Sequence, residues 1–193
     1  MLDRKNYFIR EHVGMLKLHE AFDILDPETG DLIGTATEHA SALKKMSKLF
    51  INKNFLPFHV DIADADGTTL LVIRRGFTFL RSKVEVLDAH GKLIGFFKQR
   101  LMTIGGKFGI YSAQEELVAE LKGNLIGWDF KFVDKDGTEL GLVTKKWAGA
   151  GKELFTSADN YMVSLSGDVD RLAVAPLLLG AAICIDLVLK EKG

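Results

Sequence analysis

The chain has 193 residues, of which 47% are hydrophobic and 26% are charged. These proportions are ordinary for one soluble globular domain, and they exclude a disordered chain, a collagen and a multi-span membrane fold. The 25 basic residues nearly balance the 26 acids, for a net charge of −1, so no global field attracts nucleic acid. We expect a single domain over residues 1–193, no nucleic-acid partner, and binding only through a local patch.

Four segments of the chain repeat one pattern, in which apolar and charged residues alternate and then meet an acidic turn that ends in glycine. They are residues 22–30, 60–67, 84–91 and 130–137. The alternation predicts strands with one exposed face, and the Asp and Gly residues predict tight turns. The sequence therefore predicts four β-hairpins, with further strands around residues 7–19, 76–83, 106–113, 117–126 and 152–165.

In three of these hairpins a second glycine follows the first by four residues, at Gly34, Gly95 and Gly141. A glycine inside a strand is typical of a bulge or of a close approach by another part of the chain. We expect one of these features at each of the three positions.

The segment Thr37–Phe50 has the pattern of an amphipathic helix, with Thr37 as its N-cap. Its apolar residues share one face, and Lys44, Lys45 and Lys48 lie on the other. With Lys53, these lysines form an acid-free basic stretch. Each lysine near an anionic membrane contributes about 1 kcal/mol, so this helix would attach weakly and reversibly to a membrane surface. The alternative is that its apolar face packs on the protein and the lysines are simply solvated.

The segment Arg171–Lys190 predicts a second helix, which is apolar on every side between Leu172 and Leu189 except at Asp186. Such a helix must be enclosed by protein or lie in lipid. Its charge-free part, Leu172–Ile185, has 14 residues, fewer than the ~20 that cross a bilayer. A tail anchor is one alternative. We favour a sheet wrapped around this helix, because that arrangement also buries the apolar faces of the strands.

The last third of the chain resembles a known family. The matching segments are Asp129–Phe132, Gly141–Trp147, Phe155–Tyr161 and Leu179–Asp186. They are similar to the C-terminal part of the phospholipid scramblase and LURP-one-related family, whose fold is similar to the Tubby C-terminal domain. The resemblance implies a mainly-β (α+β) fold, a closed antiparallel β-barrel of about twelve strands around a central hydrophobic C-terminal helix. That helix would contain Pro176, Gly180, Cys184 and Asp186.

The resemblance also implies a calcium site, because an acidic segment before the helix is proposed to bind calcium in scramblases. Its counterparts here are Asp159, Asn160 and Asp168, but Ser157 stands where the first acidic ligand is expected. Calcium prefers about six to eight oxygen ligands, several of them carboxylates. We therefore expect calcium binding to be weakened and no cofactor to be needed.

A second group of basic residues falls on neighbouring predicted strands. It consists of Arg74, Arg75, Arg81, Lys83, Lys98, Arg100 and Lys107. If these side chains share a face, they form a cationic groove that matches a phosphate group. The resemblance implies such a site, since Tubby domains bind phosphoinositide headgroups with basic residues.

Other reactive side chains give weaker signals. The five histidines, His12, His19, His39, His59 and His90, show no metal-ligand spacing and are interpreted as ordinary core or surface residues. Cys184 is the only cysteine, and in its apolar surroundings it is interpreted as an inert buried thiol. Asp186 either pairs with a basic or backbone group at a barrel end or is a functional acid with a perturbed pKa.

Three functions follow as hypotheses. We favour a non-enzymatic binding module for anionic phospholipid, phosphoinositide headgroups or a protein partner, because neither a phosphate-binding loop nor a nucleophile elbow occurs in the sequence. One alternative is a scramblase-type protein that moves lipid across the bilayer with its last helix inserted. The other is an enzyme that uses the barrel interior. The lone cysteine and the N-terminus without an apolar leader predict a cytoplasmic protein, peripheral to a membrane at most.

Overall fold

The computed structural model describes residues 1–12, 21–39, 57–76, 83–99, 108–124, 128–145, 160–167 and 169–189. The described residues form twelve strands and one helix. The elements are β1 (Asn6–Glu11), β2 (Ala21–Leu25), β3 (Leu32–Glu38), β4 (Phe58–Asp64), β5 (Thr69–Arg75), β6 (Lys83–Asp88), β7 (Leu93–Gln99), β8 (Phe108–Ser112), β9 (Leu117–Asn124), β10 (Asp129–Val133), β11 (Glu139–Thr144), β12 (Asn160–Leu165) and α1 (Arg171–Leu189).

The strands form a closed antiparallel barrel. Each strand pairs with the strands that precede and follow it in the sequence, and β1 pairs with β12 to close the ring. Among the twelve strands that the structure describes, closure leaves none with an unpaired edge along which another chain could add. The predicted fold class, a mainly-β closed antiparallel barrel with a C-terminal helix, is confirmed.

All four predicted hairpins are present, as β2–β3, β4–β5, β6–β7 and β10–β11. In the β4–β5 turn, the Asp64 carboxylate accepts hydrogen bonds from the backbone N–H groups of Asp66 and Thr68 at 3.1 and 2.9 Å. Gly67 follows with a φ of 83°, a conformation that glycine adopts without steric cost. The repeated Asp and Gly residues therefore act through the turn chemistry that predicted them.

A fifth hairpin, β8–β9, belongs to the same repeat without its Asp and Gly residues. The Ser112 hydroxyl accepts hydrogen bonds from the N–H groups of Gln114 and Glu116 at 3.2 and 3.3 Å. Glu115 takes the left-handed conformation, with a φ of 65°. The sequence pattern missed this member because Ser112 replaces the aspartate and Glu115 replaces the glycine.

Two of the three second glycines, Gly95 and Gly141, lie against α1, whereas a Cβ atom at Gly34 would meet the Ala63 carbonyl of β4 at 2.5 Å. Gly95 follows a register shift in the β6–β7 pair, and a Cβ atom added there would lie 3.0 Å from Leu177 Cδ2 of α1. A Cβ atom at Gly141 would meet the Ser164 carbonyl at 2.5 Å and the Leu178 side chain of α1. The predicted close approach is confirmed at both positions, and it lets the barrel wall contact α1.

The helix α1 runs through the barrel interior. Its N-terminus is capped by Asp170, whose carboxylate accepts hydrogen bonds from the N–H groups of Leu172 and Ala173 at 3.1 and 3.4 Å. Every residue from Ala175 to Leu187 is buried, and α1 contacts strands on opposite sides of the ring, β6 and β7 as well as β11 and β12. The expectation that strands enclose this helix is confirmed. Within the described part of the chain, no helix combines the length and apolarity of a membrane span.

The predicted helix at Thr37–Phe50 is wrong at its start. Thr37 lies in β3 and pairs with Ala21 and Asp61 on the neighbouring strands, so it is not an N-cap. Its branched side chain suits a strand, and cross-strand pairing decided the structure there. Glu38 also lies in β3, and residues 40–50 of that prediction, including Lys44, Lys45 and Lys48, lie outside the described residues.

The two ends of the barrel differ. All five tight turns lie at one end, named here the turn end, because the hairpins are joined in series. The helix enters there, and the Arg171 guanidinium donates a hydrogen bond to the Asp3 carbonyl at 3.4 Å. The other end, named the connection end, is where β5 finishes at Arg75 and β12 starts at Asn160. The last buried turn of α1 therefore lies at the connection end.

Candidate functional site

Four charged side chains share the outer face of β5, β6 and β7 toward the connection end. Strand alternation places Arg74, Lys83, Glu85 and Lys98 outward, while the buried residues between and beside them, Ile73, Arg75, Val84, Val86 and Phe97, point to the core. In the registers of these strands Arg74 lies opposite Glu85, and Lys83 lies opposite Lys98. We name Arg74, Lys83 and Lys98, together with Glu85, the basic face.

One carboxylate, that of Glu85, contacts two cations of the basic face. The Arg74 Nε donates a hydrogen bond to Glu85 Oε2 at 2.8 Å, and the Lys83 Nζ lies 3.3 Å from Glu85 Oε1. The hydrogen bond from Arg74 lowers the pKa of the Glu85 carboxyl, partial burial opposes this, and Lys83 lowers it further. The third cation, Lys98, lies directly across from Lys83. Like charges in such cross-strand positions repel each other, so the basic face is favourable for an incoming anion.

Aromatic rings form the floor beneath these charges. The Lys83 Nζ lies 4.3 Å from the centroid of the Phe96 ring, a cation–π distance. The Phe96 ring in turn stacks on Tyr111, with centroids 5.1 Å apart and planes 10° apart. Although Phe96 is on the outer face, it is only 3% exposed. The Lys83 ammonium therefore lies above an apolar surface.

Arg75 does not belong to this face. It follows Arg74 in the strand, so it points into the barrel, where it is 4% exposed and its guanidinium lies 4.7 Å from the centroid of the Phe58 ring. The barrel wall separates it from Lys83 and Lys98. The remaining members of the two predicted basic groups lie outside the described residues: Lys44, Lys45, Lys48, Lys53, Arg81, Arg100 and Lys107.

The residues predicted for the central helix are all in α1. Pro176, Gly180, Cys184 and Asp186 are buried. Pro176 has no N–H to donate to the Leu172 carbonyl four residues earlier, and this carbonyl lies at the exposed start of α1, where water can satisfy it. A Cβ atom at Gly180 would lie 3.0 Å from Val86 Cγ2, so glycine keeps α1 close to β6.

Two titratable groups of α1 lie near polar residues at the connection end. Burial raises the pKa of the Cys184 thiol, and the charge of Arg75 opposes this rise only in part. The thiol therefore stays protonated, as expected for an inert cysteine. Burial also raises the pKa of the Tyr161 hydroxyl well above its usual value, and the nearby Asp186 and Cys184 raise it further. Asp186 is thus an interior acid facing β12, and its proposed roles in pairing or catalysis stay predictions.

Only one of the three predicted calcium ligands lies among the described residues. Asn160 starts β12 and is buried, whereas Asp159 and Asp168 lie outside the described residues. Calcium binding therefore stays a prediction.

The structure brings together two histidines that the sequence did not connect. The Nε2 atoms of His39 and His59 lie 2.8 and 2.9 Å from the two carboxylate oxygens of Asp61. The spacing of His59 and Asp61, two residues apart on a predicted strand, was the available signal. His39 was missed because it is distant in sequence, and its position opposite His59 depends on the β3–β4 register.

Comparison with known proteins identifies the family. Residues 21–192 match the sequence profile described as Scramblase, which covers most of the barrel and α1. The chain therefore belongs to the scramblase family. This agrees with the resemblance, which is specific in the last third of the sequence and looser over the earlier hairpins.

Individual relatives are distant. The chain is 22% identical over 225 aligned residues to Altered inheritance rate of mitochondria protein 25 of Saccharomyces cerevisiae, covering 96% of this chain and 68% of that protein. It is 27% identical to Phospholipid scramblase 2 of Bos taurus, over 70% of this chain and 50% of that protein. It is 22% identical to a phospholipid scramblase family protein of Schizosaccharomyces pombe, over 70% of this chain and 38% of that protein. The chain thus spans half or less of these two scramblases. No solved structure matches it.

Proposed function

We propose that this chain is a non-enzymatic, lipid-associated barrel that binds anionic phospholipid headgroups at a membrane surface through its basic face. The observation that carries the proposal is the register of Lys83 opposite Lys98, with Arg74 beside them and one carboxylate, Glu85, among the three cations. Membership of the scramblase family and the names of the relatives support a lipid-associated role.

The chemistry of the basic face suits phosphate groups. Arginine and lysine form their strongest hydrogen bonds with carboxylates and phosphates. Glu85 holds Arg74 and Lys83 in place, so less side-chain entropy is lost when an anion arrives. Each cation near an anionic surface contributes about 1 kcal/mol. The basic face therefore favours weak, reversible attachment rather than permanent anchoring.

A second lysine pair provides an internal control. Lys122 of β9 lies opposite Lys131 of β10 in the same kind of cross-strand register. There, the Lys131 Nζ lies 2.8 Å from Glu139 Oε2, and Asp129 is also close enough to help raise the pKa of Lys131. We name these four residues the balanced face, because two acids offset two lysines. It has the register of the basic face but lacks its excess charge.

The burial of α1 favours headgroup binding over the lipid-moving alternative, in which this helix enters the bilayer. Exposing α1 would require opening the ring of strands and uncovering the apolar core that the helix and strands share. Apolar side chains of α1 and the strands make up most of the described interior, so the part of the barrel that the structure describes is mainly a packed core, with buried polar residues such as Arg75 and Asp186. The barrel wall is therefore the better candidate for function.

Vesicle flotation tests the proposal. The wild-type chain should float with vesicles that contain phosphatidylglycerol, phosphatidylserine or a phosphoinositide, and not with pure phosphatidylcholine vesicles. The double variant Lys83→Ala/Lys98→Ala should lose about 2 kcal/mol, a factor of about 30 in partition coefficient. The matched variant Lys122→Ala/Lys131→Ala should bind like the wild type.

The three anionic lipids separate two forms of the proposal. Binding that follows vesicle charge alone indicates general attraction to phosphate groups, and selective binding to the phosphoinositide indicates headgroup recognition. Equal losses in the two double variants, or no flotation of the wild type with any anionic vesicle, would contradict the proposal.

A further inference from the structure

Three side chains with metal-binding atoms meet on the outer face of β3 and β4. His59 and Asp61 are two residues apart on β4, so they point to the same side. His39 follows the last residue of β3, and its backbone N–H donates a hydrogen bond to the His59 carbonyl at 2.8 Å. The backbone therefore holds the two histidines side by side, independently of their side chains.

The ligand atoms of these residues form a tight group. The Nε2 atoms of His39 and His59 lie 2.8 and 2.9 Å from Asp61 Oδ2 and Oδ1. One ligand atom from each residue lies within 4.8 Å of the other two. The two imidazole rings are nearly perpendicular, at 81°, with centroids 5.3 Å apart, so their edges converge without stacking.

We infer that His39, His59 and Asp61 form a binding site for one zinc ion. Zinc binds imidazole nitrogen and carboxylate oxygen at about 2.0–2.2 Å in tetrahedral geometry, which separates neighbouring ligand atoms by about 3.3 Å. Each histidine now contacts a different Asp61 oxygen, and the three ligand atoms already lie within 4.8 Å of one another. Rotation of the carboxylate and the two rings is therefore the change needed to bring one oxygen and two nitrogens to this spacing. Three protein ligands leave one position for water.

The surroundings allow this small rearrangement. The side chains of His39, His59 and Asp61 are 56%, 49% and 30% exposed, so their rings and carboxylate rotate without disturbing the core. Among the residues that the structure describes, the cation Arg74 lies opposite His59 and is directed toward Glu85. Its charge is partly neutralised there, which limits its repulsion of a metal ion.

The ligand types select zinc over the ion that the family resemblance suggested. Calcium takes about six to eight oxygen ligands, whereas two of the three ligands here are imidazole nitrogens. Borderline metals such as zinc prefer imidazole. This site is also remote in sequence from Asp159, Asn160 and Asp168, and it uses none of them.

Isothermal titration calorimetry of the full, tag-free chain with zinc chloride tests the inference, after treatment with chelator and dialysis. The wild type should bind one zinc ion per chain, and calcium chloride should not compete. The variants His39→Gln and His59→Gln should each weaken zinc binding by more than roughly tenfold. Circular dichroism should show that both variants remain folded.

A third histidine supplies the matched control. The His12 Nε2 also contacts a carboxylate, Asp23 Oδ1, at 2.6 Å, but the second partner of Asp23 is Arg10 instead of a histidine. His12→Gln should therefore bind zinc like the wild type. Substituting cobalt for zinc should give the visible absorption of a four-coordinate site, which His59→Gln abolishes. Absence of binding by the wild type, or an equal loss in His12→Gln, would overturn the inference.

Discussion

The basic face and the balanced face are built on the same plan but carry different charge. In each, two lysines of neighbouring strands lie directly opposite one another on the outside of the barrel. Arg74 and Glu85 lie beside Lys83 and Lys98, whereas Glu139 and Asp129 lie beside Lys131. Both faces have the same number of lysines. The candidate site is therefore defined by how acids are arranged among those lysines.

The largest effect should come from disturbing the packing of α1 against the barrel wall that carries both faces. Gly180→Leu would drive a side chain into Val86, since even a Cβ atom there lies 3.0 Å from Val86 Cγ2. Overpacking of this kind costs about 1–3 kcal/mol. Urea unfolding should show that loss.

The control for this variant lies on the same helix. Ala173 is exposed, so Ala173→Leu introduces the same side chain where there is space. If the two variants had equal free energies of unfolding, the close packing of α1 against the wall would be contradicted.

The next effect should come from converting the balanced face into a second basic face. Asp129→Asn combined with Glu139→Gln leaves Lys122 and Lys131 without their offsetting acids. Removing two negative charges beside an anionic surface should strengthen vesicle binding by about 2 kcal/mol, a factor of about 30 in partition coefficient. Flotation with phosphatidylglycerol vesicles measures it.

A charge-matched variant distinguishes position from net charge. Glu28→Gln combined with Asp31→Asn removes two exposed acids at the turn end, where no facing lysine pair lies among the described strands. It should strengthen binding much less. An equal gain in both double variants would show that overall charge alone governs binding.

A smaller effect is expected from Arg74→Gln, which removes one cation from the basic face. Binding should weaken by about 1 kcal/mol, roughly fivefold. The loss is smaller than for the lysine pair because one cation is removed instead of two. Flotation of this variant beside Lys131→Gln, a single cation removed from the balanced face, measures the difference, and equal losses would contradict the account.

The smallest effect concerns the titration of Glu85. Its pKa in the folded chain is below its usual value, chiefly because of the hydrogen bond from Arg74. The ionised carboxylate therefore stabilises the fold above the usual pKa of 4.5, and this contribution is lost as the pH falls through the lowered pKa. Arg74→Gln should raise the pKa of Glu85 toward 4.5, as measured by NMR titration of its carboxyl carbon.

Asp134 provides the reference in the same spectra. Its pKa is lowered mainly by a hydrogen bond from the backbone of Thr138 in the β10–β11 turn, far from Arg74 in the ring. This pKa should not change in Arg74→Gln. If the pKa of Glu85 were also unchanged in Arg74→Gln, the hydrogen bond from Arg74 would not be what lowers it.

Much of the fold was predictable because it rests on local chemistry. Alternation of apolar and charged residues located the strands, and the Asp–Gly turns located four hairpins. The fifth was missed because Ser112 and Glu115 adopt the same turn with different side chains. The helix prediction at Thr37 failed because pairing with β2 and β4 outweighed a local capping pattern.

The candidate site was less predictable, because it depends on which strand positions face each other. Arg74 and Arg75 were grouped together, yet neighbouring residues of a strand point to opposite sides, and this alternation was a signal available in the sequence. Predicting that Glu85 offsets part of the positive charge of the basic face required knowledge of the β5–β6 register. The meeting of His39 with His59 required the β3–β4 register, which no short turn fixes.

The most direct test of the central claim follows backbone amide signals of the 15N-labelled wild-type chain during titration with phosphatidylglycerol nanodiscs. The account predicts the largest shifts and line broadening at Lys83, Lys98 and their β5 neighbour Arg74, with little change at Lys122 and Lys131. Larger changes at Lys122 and Lys131, or no preference between the two faces, would contradict it.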